Sequence, residues 1–286
     1  MNKVTTKYRY NVYGLNIESE IELDELIPIK KGSRINKFDV RIKKGNIPKD
    51  IDEVLEKSDE IHCNEDYIYF KVDNEIKCYL TEGKTVIIEY NEDVDLEKVK
   101  KILLGPALGM ILIQKNMVAV EGGALEVLDN GIVISGKVGA GKSTLTNLFR
   151  KEGYKFLSDD ISVIGFDSSK EPIIYSGYPI ESKEGFYNGS SKVTSFFELS
   201  KYEGTKIKIE EVTGLDKLNV FMRNIYSEYV FRFIKMNPIY FNKCVEICKQ
   251  IKVYKVSRPY NTYTADKQLE AICETLDCLN SDIVWY

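Results

Sequence analysis

Apolar positions along the chain follow two periods, and the change from one to the other marks its organisation. Through residues 1–92 they fall in short runs rich in β-branched and aromatic residues: Tyr8–Ile17, Phe38–Ile42, Tyr67–Val72, Ile76–Leu80 and Thr85–Tyr90. Runs of this length and composition predict strands. The triplets Asp73-Asn74-Glu75 and Glu82-Gly83-Lys84 read as hairpin turns between them, and Glu53–Lys57 as one helical turn. From Asp93 to Asn116 the period lengthens. Leu96, Val99, Ile102, Leu103, Leu108, Ile111 and Leu112 recur at helical spacing behind Asp93 and Asp95 as caps. Pro106 in the middle predicts a kink or two helices.

Strand and helix signals then alternate. Met117–Val120 reads as a strand ending at Glu121, and Asp129-Asn130-Gly131 as a hairpin turn from Ala124–Leu128 into Ile132–Ile134. A helix follows on Leu145, Leu148 and Phe149, with Gly153 as its stop. Lys155–Leu157, Ser162–Phe166, Ile173–Tyr175 and Val253–Val256 are further strands, and 218–235, 238–251 and 264–279 further helices. Residues 182–206 mix Gly, Ser and charge with few periodic apolar positions and read as a long loop or lid. The pattern as a whole predicts an α/β protein, with a β-rich N-terminal accessory domain over 1–92 and a second domain over 93–286.

Composition narrows the function classes. The 286 residues are 43% hydrophobic and 29% charged, enough to bury a large core, and the net charge of −4 supplies no global basic field for nucleic acid. No apolar run reaches membrane-span length and the start MNKVTTKYRYN has no hydrophobic signal region, so a cytoplasmic protein without membrane partners is expected. Six cysteines and a single histidine, His62, form no metal-ligand spacing, so the cysteines read as reduced, mostly packed thiols. Cys244 and Cys248 share a helix face without further partners, and Arg223 reads as a surface or ion-paired arginine rather than a phosphate clamp.

One stretch carries chemistry. Gly136-Lys137-Val138-Gly139-Ala140-Gly141-Lys142-Ser143 fits the phosphate-loop pattern GxxxxGK[ST], with a strand before it and a helix after it. Glycines there let successive amides converge on phosphate oxygens at a helix N-terminus. That pattern assigns nucleotide contacts to 136–144, Thr144 included, with Lys142 reaching the β/γ-phosphates and Ser143 offering its hydroxyl to Mg²⁺. The next strand-like run ends in Ser158-Asp159-Asp160. A kinase needs a carboxylate for the metal and a base for the acceptor hydroxyl, and adjacent acids on extended backbone face opposite ways and can divide those tasks.

GKVGAGKST followed by YKFLSDDISVI resembles the catalytic domain of the HPr kinase/phosphorylase family and, more distantly, ATP-dependent phosphoenolpyruvate carboxykinases. The opening Tyr10–Leu26 looks like the start of HPr-kinase-like proteins from bacterial peptide-tailoring clusters, lasso-peptide kinases among them. The catalytic resemblance spans about Val118 to Asp167. It implies a P-loop kinase domain, ATP and Mg²⁺ as cofactors, a serine of a peptide or protein as acceptor, and a homo-oligomer. It also implies Asp159 as base, with Asp160 beside Ser143 on the metal. Glu121 stands where the family has a histidine, and its carboxylate is expected to orient the acceptor or a second metal or to be a solvated strand end. The family's ExRG-type signature has no counterpart after the Asp pair. A nucleotide-binding regulatory module, and a metabolite kinase or carboxykinase-like enzyme, are the alternative readings.

Overall fold

The computed structural model describes residues 6–30, 32–35, 37–49, 51, 61–63, 66–178, 186–226, 238–260 and 262–281, with side chains as far as Asp277. Its contacts divide into two compact units, Met1–Met117 with Ser227–Phe241 and Val118–Tyr226 with Asn242–Tyr286.

The first unit is built on a mixed seven-stranded sheet: β1 (Tyr8–Val12), β2 (Leu15–Ser19), β3 (Val40–Lys44), β4 (Ile61–Cys63), β5 (Tyr67–Val72), β6 (Ile76–Thr81) and β7 (Thr85–Tyr90). Their spatial order is β1-β2-β3-β7-β6-β5-β4, with β3 parallel to both β2 and β7. The run Tyr8–Ile17 is two strands rather than one, because Tyr13 and Gly14 both take positive φ and turn the chain back. The two expected hairpins form, with left-handed backbone at Asp73-Asn74 and Glu82-Gly83. Glu53–Lys57 lies outside the described residues.

Asp95 caps α1 (Leu96–Ile102), its carboxylate accepting the Glu97 N–H at 3.0 Å. Pro106 falls between two α-helical segments, as one of the two expectations had it, and the chain runs from one to the other without a break. A π-helical turn over Leu103–Ala107 absorbs the missing N–H, and α2 (Leu108–Gln114) continues. Leu103, Leu104, Leu108 and Ile111 line a small apolar cavity with Ile17, Val40 and Val86 of the sheet and with Leu23 beyond β2. Lys100 binds Asp24 at 2.7 Å and the Gly83 N–H donates to Gln114. Residues 96–114, expected in the second domain, therefore pack with the N-terminal sheet, and the units divide at Met117/Val118 instead of at 92/93.

The second unit holds a nine-stranded mixed sheet. Its strands are β8 (Val118–Glu121), β9 (Gly123–Val127), β10 (Asn130–Gly136), β11 (Lys155–Ser158), β12 (Ile161–Phe166), β13 (Pro172–Tyr175), β14 (Ser190–Tyr202), β15 (Lys208–Glu211) and β16 (Lys252–Pro259). The order is β11-β9-β10-β14-β13-β12-β8, and β16 joins β14 in parallel with β15 beyond it. Helices are α3 (Lys142–Lys151), α4 (Gly214–Met222), α5 (Pro238–Gln250) and α6 (Ala265–Ser281). Leu125, Ile132, Ile134, Leu145, Phe149, Phe197, Leu199, Val256, Ile272 and Leu276 form one buried cluster that fixes α3 and α6 to the sheet. Each such side chain contributes about 1.5–3 kcal/mol on full burial.

Two expectations are corrected here. The β9–β10 turn is Leu128-Asp129, both at positive φ, so Asn130 and Gly131 belong to the strand. Gly131 is needed there for a different reason: an added Cβ would fall 2.4 Å from the Lys192 carbonyl oxygen on β14. The expected loop over 182–206 is largely β14, thirteen residues with Val193, Phe196, Phe197 and Leu199 buried. A strand covered on both faces does not alternate, which hid it among polar neighbours. Residues 182–185 lie outside the described set, as does 227–235 of the helix expected over 218–235, whose described part is α4.

Candidate active site

Strand β10 runs fully buried to Gly136. A Cβ at that glycine (φ 135°) would fall 2.5 Å from the Leu199 carbonyl oxygen, so only glycine lets the chain leave the sheet against β14. Lys137, Val138 and Gly139 then loop into solvent, Val138 at 98% exposure. Ala140 returns to the core and its N–H closes the turn on the Lys137 carbonyl at 3.0 Å. Gly139 (φ 78°) and Gly141 (φ 109°) hold left-handed backbone, and Gly141 is the N-cap of α3 with no side chain capping it.

The amides of Val138, Gly139 and Gly141 have no partner among the described residues. The first-turn amides of Lys142, Ser143 and Thr144 are the ones that a helix leaves without an internal acceptor. Together they make a concave set of donors with the positive end of the α3 dipole behind it, a chemistry that suits phosphate oxygens. Lys142 folds back over the loop, donating from Nζ to the Gly136 carbonyl at 2.6 Å and reaching that of Lys137 at 3.5 Å. Ser143 and Thr144 are exposed at the helix start.

The Asp pair is brought in by the corner between β8 and β9. Glu121 ends β8 opposite Ile161, and the Gly122 N–H donates to the Asp160 carbonyl at 2.8 Å. A Cβ at Gly123 would lie 2.8 Å from Thr146 Cγ2 of α3 and 3.0 Å from the Asp159 carbonyl oxygen. The Gly122-Gly123 pair is therefore the spacer between the loop's helix and the Asp159-Asp160 bend. Asp159 is half-buried, and Asp160 and Glu121 are exposed. Ser162 Oγ donates to the Gly122 carbonyl at 2.7 Å and lies 3.0 Å from Ser158 Oγ, tying the bend to the corner from below. Among the described residues no group of three or more His, Cys, Asp or Glu side chains could hold a metal ion. Mg²⁺ in nucleotide sites takes only one or two protein ligands, the rest being phosphate and water, so a group of that kind is not required for it.

Four participants were not legible in the sequence. Glu198 on β14 is buried, takes a bidentate contact from Arg223 (Nε to Oε1 at 2.7 Å, Nη2 to Oε2) and accepts from Asn224 Nδ2 at 2.9 Å. Burial alone would raise its carboxyl, but these bonds outweigh burial and hold it below the ordinary carboxylate value. Asn224 Oδ1 lies 2.9 Å from Ser135 Oγ, which also contacts the Glu121 carbonyl, while the Asn224 carbonyl accepts the Glu121 N–H at 2.7 Å. The end of β8 is thus anchored to the loop strand through one buried network. The phenol of Tyr226 is raised by burial and then by the Glu121 and Asp160 carboxylates, which puts both acids within its electrostatic reach. Beside the loop, Lys137–Ala140, Glu198–Lys201, Arg223 and Tyr260 line an open cleft of about 500 Å³. The fourth is Arg258 on β16, whose Nε donates to the Ala140 carbonyl at 2.7 Å. The only sequence signal for it was an arginine at a strand end.

No family model and no curated protein matches the chain. Among solved structures, the HPr(Ser) kinase/phosphatase from Coxiella burnetii aligns with 57% of this chain and 98% of that one, at 12% identity and a TM-score of 0.32. This is a distant likeness only, too low to transfer a fold, an activity or a residue role.

Proposed function

We propose that the chain is an ATP-dependent kinase that transfers the γ-phosphoryl group to a hydroxyl, a serine of a peptide or protein. One juxtaposition carries the reading: an amide-lined glycine loop at a helix N-terminus, with an Asp pair held against the same helix by Gly122 and Gly123. The glycine-loop and Asp-pair motifs that resemble HPr kinases support the peptide or protein acceptor. In this reading the loop amides of Gly139, Gly141 and Lys142 bind the phosphate tail, the Ala140 N–H being used to close the turn on Lys137, and Lys142 balances charge that shifts during transfer. Ser143 and Asp160 would hold Mg²⁺, which would supply a Lewis acid to the phosphate oxygens. Asp159 takes the proton of the acceptor hydroxyl as its oxygen bonds to the γ-phosphorus and the bond to ADP breaks. Glu121, exposed at the end of β8, orients the acceptor. Catalysis of this kind rests on positioning and electrostatics.

The test is transfer of label from γ-labelled ATP with Mg²⁺ to serine-containing peptides, HPr and free serine. We expect label on a peptide or protein hydroxyl, reduced at least ~100-fold in folded Lys142→Ala and Asp159→Asn. Undiminished transfer in folded Asp159→Asn would remove the base assignment. Binding of ATP without transfer to any acceptor would favour a regulatory module, and label on free serine alone a metabolite kinase.

A further inference from the structure

Arg258 stands 118 positions from the loop residue it touches, at the end of a strand two places from β10 in the sheet. Its Nε donates to the Ala140 carbonyl at 2.7 Å, and Nη1 reaches its neighbour's Pro259 carbonyl at 3.3 Å. The Nε/Nη2 edge of the guanidinium lies against the next residue of the loop: a Cβ on Gly141 would meet Nε and Nη2 at 3.3 Å and Cζ at 3.6 Å. No carboxylate pairs with this half-buried cation among the described residues; the acceptors it uses are backbone carbonyls. A half-buried guanidinium is costly unless its donors are used, and a charge-assisted bond to a carbonyl is stronger than a neutral one.

The consequence follows from the geometry of the peptide unit. The peptide bond is planar and trans, so the Ala140 carbonyl and the Gly141 N–H point in opposite directions. By fixing the carbonyl on its own side, Arg258 turns the Gly141 amide to the other side of the 140–141 peptide. Gly141 itself sits at φ 109°, where a peptide flip costs a glycine little, so the loop's sequence does not set this orientation alone. The Gly141 amide has no partner among the described residues.

We infer that Arg258 is a positioning residue for the phosphate site: it holds the Ala140–Gly141 peptide with the Gly141 N–H presented to an anionic phosphate oxygen of the nucleotide. This rests on the proposed nucleotide site and adds a residue outside the glycine-loop motif to it. Gly141 and Arg258 are then mutually dependent, since any side chain at 141 would be strained and would displace the guanidinium.

The experiment measures MgADP binding by calorimetry and follows the Gly141 amide resonance by ¹⁵N NMR, in the full chain and in Arg258→Ala and Arg258→Lys. In the unsubstituted chain MgADP should bind and move the Gly141 amide strongly downfield. Arg258→Ala should weaken binding about 10- to 100-fold, the range expected for losing one charge-assisted hydrogen bond, and abolish the Gly141 shift. Methylguanidinium added to Arg258→Ala should restore both, a rescue that a loss of global stability does not show. Arg258→Lys, which retains a cation but not the forked guanidinium donors, should be intermediate, and it serves as the test if Arg258→Ala does not fold. Wild-type affinity with an unchanged Gly141 shift in either variant overturns the inference while leaving the nucleotide site standing. Absence of MgADP binding in the unsubstituted chain overturns the nucleotide site, and this inference with it.

Discussion

Single residues at the site fall into those the motif names and those the fold recruits. Lys142, Ser143, Asp159 and Asp160 were candidates from the sequence because a phosphate-loop pattern and a strand-end acid pair are local patterns, with the roles of the two acids implied by the resemblance alone. Glu198 was not, since one glutamate in a polar stretch has nothing to mark it until β14 places it beside Arg223 and Asn224. Arg223 was expected to be ion-paired, and it is. Removing it leaves a buried carboxylate with only Asn224. Arg223→Ala should therefore lose about 1–3 kcal/mol in urea denaturation, less than a fully buried pair because the arginine is half-exposed. The pH dependence has a definite sign. The Glu198 carboxyl is held below its ordinary value of 4.5, so the pair's contribution is complete above that pH. It is lost as pH falls through the lower value of the folded state. Glu198→Gln should flatten this acid-side decline in stability, and an unchanged slope would mean that other carboxylates set it.

Among the elements, the corner between β8 and β9 governs the site more than its exposed position suggests. Gly122 takes φ 148°, and a Cβ there would lie 2.5 Å from the Ile134 carbonyl oxygen on the loop strand. Neither partner is a flexible side-chain end that could yield. Gly122→Ala should cost about 2–4 kcal/mol, combining backbone strain with overpacking. If the chain is the proposed kinase, Gly122→Ala should also lower phosphoryl transfer in whatever fraction remains folded, because the Gly122 N–H bonds the Asp160 carbonyl. Thermal denaturation and single-turnover transfer measure the two effects separately. Strand β14 shows the opposite case, an element whose sequence concealed it. Phe196 and Phe197 are adjacent and both buried, one on each face, so no period-two signal exists to read.

Over the whole molecule, each compact unit carries a buried thiol that reports on its opening. Burial pushes Cys244 and Cys248 on α5 up to about 12, and Cys78 on β6 upward as well. At pH 7.5 a thiol of that kind is thiolate in only about one molecule in 10⁴ to 10⁵, and the sulfur is also shielded. Native protein should leave these three unreacted toward a thiol reagent, and denaturant should expose them. Cys78 and the α5 pair report the first and second units separately. Fast labelling of Cys244 or Cys248 in native protein would show that the α5 face opens locally. No helix among the described residues is long and apolar enough to cross a membrane.

The sequence by itself determined what depends on neighbours along the chain. Its periods marked most strands and helices, its turn residues marked the two hairpins at 73–75 and 82–84, and GKVGAGKS between a strand and a helix marked the phosphate-loop candidate. These are short-range constraints of backbone sterics and side-chain alternation, so a window of ten to twenty residues contains them. Tertiary structure decided what depends on residues far apart. It moved 96–114 onto the N-terminal sheet, made a central strand of an apparent loop, and joined Glu121 to Ser135 and Asn224. It also set Arg258 against Ala140 and Gly141, its guanidinium donating to the Ala140 carbonyl, a contact that leaves no trace in either local sequence. Buried polar groups must find partners wherever the fold supplies them, and those partners are fixed by strand order and register, which no local pattern encodes.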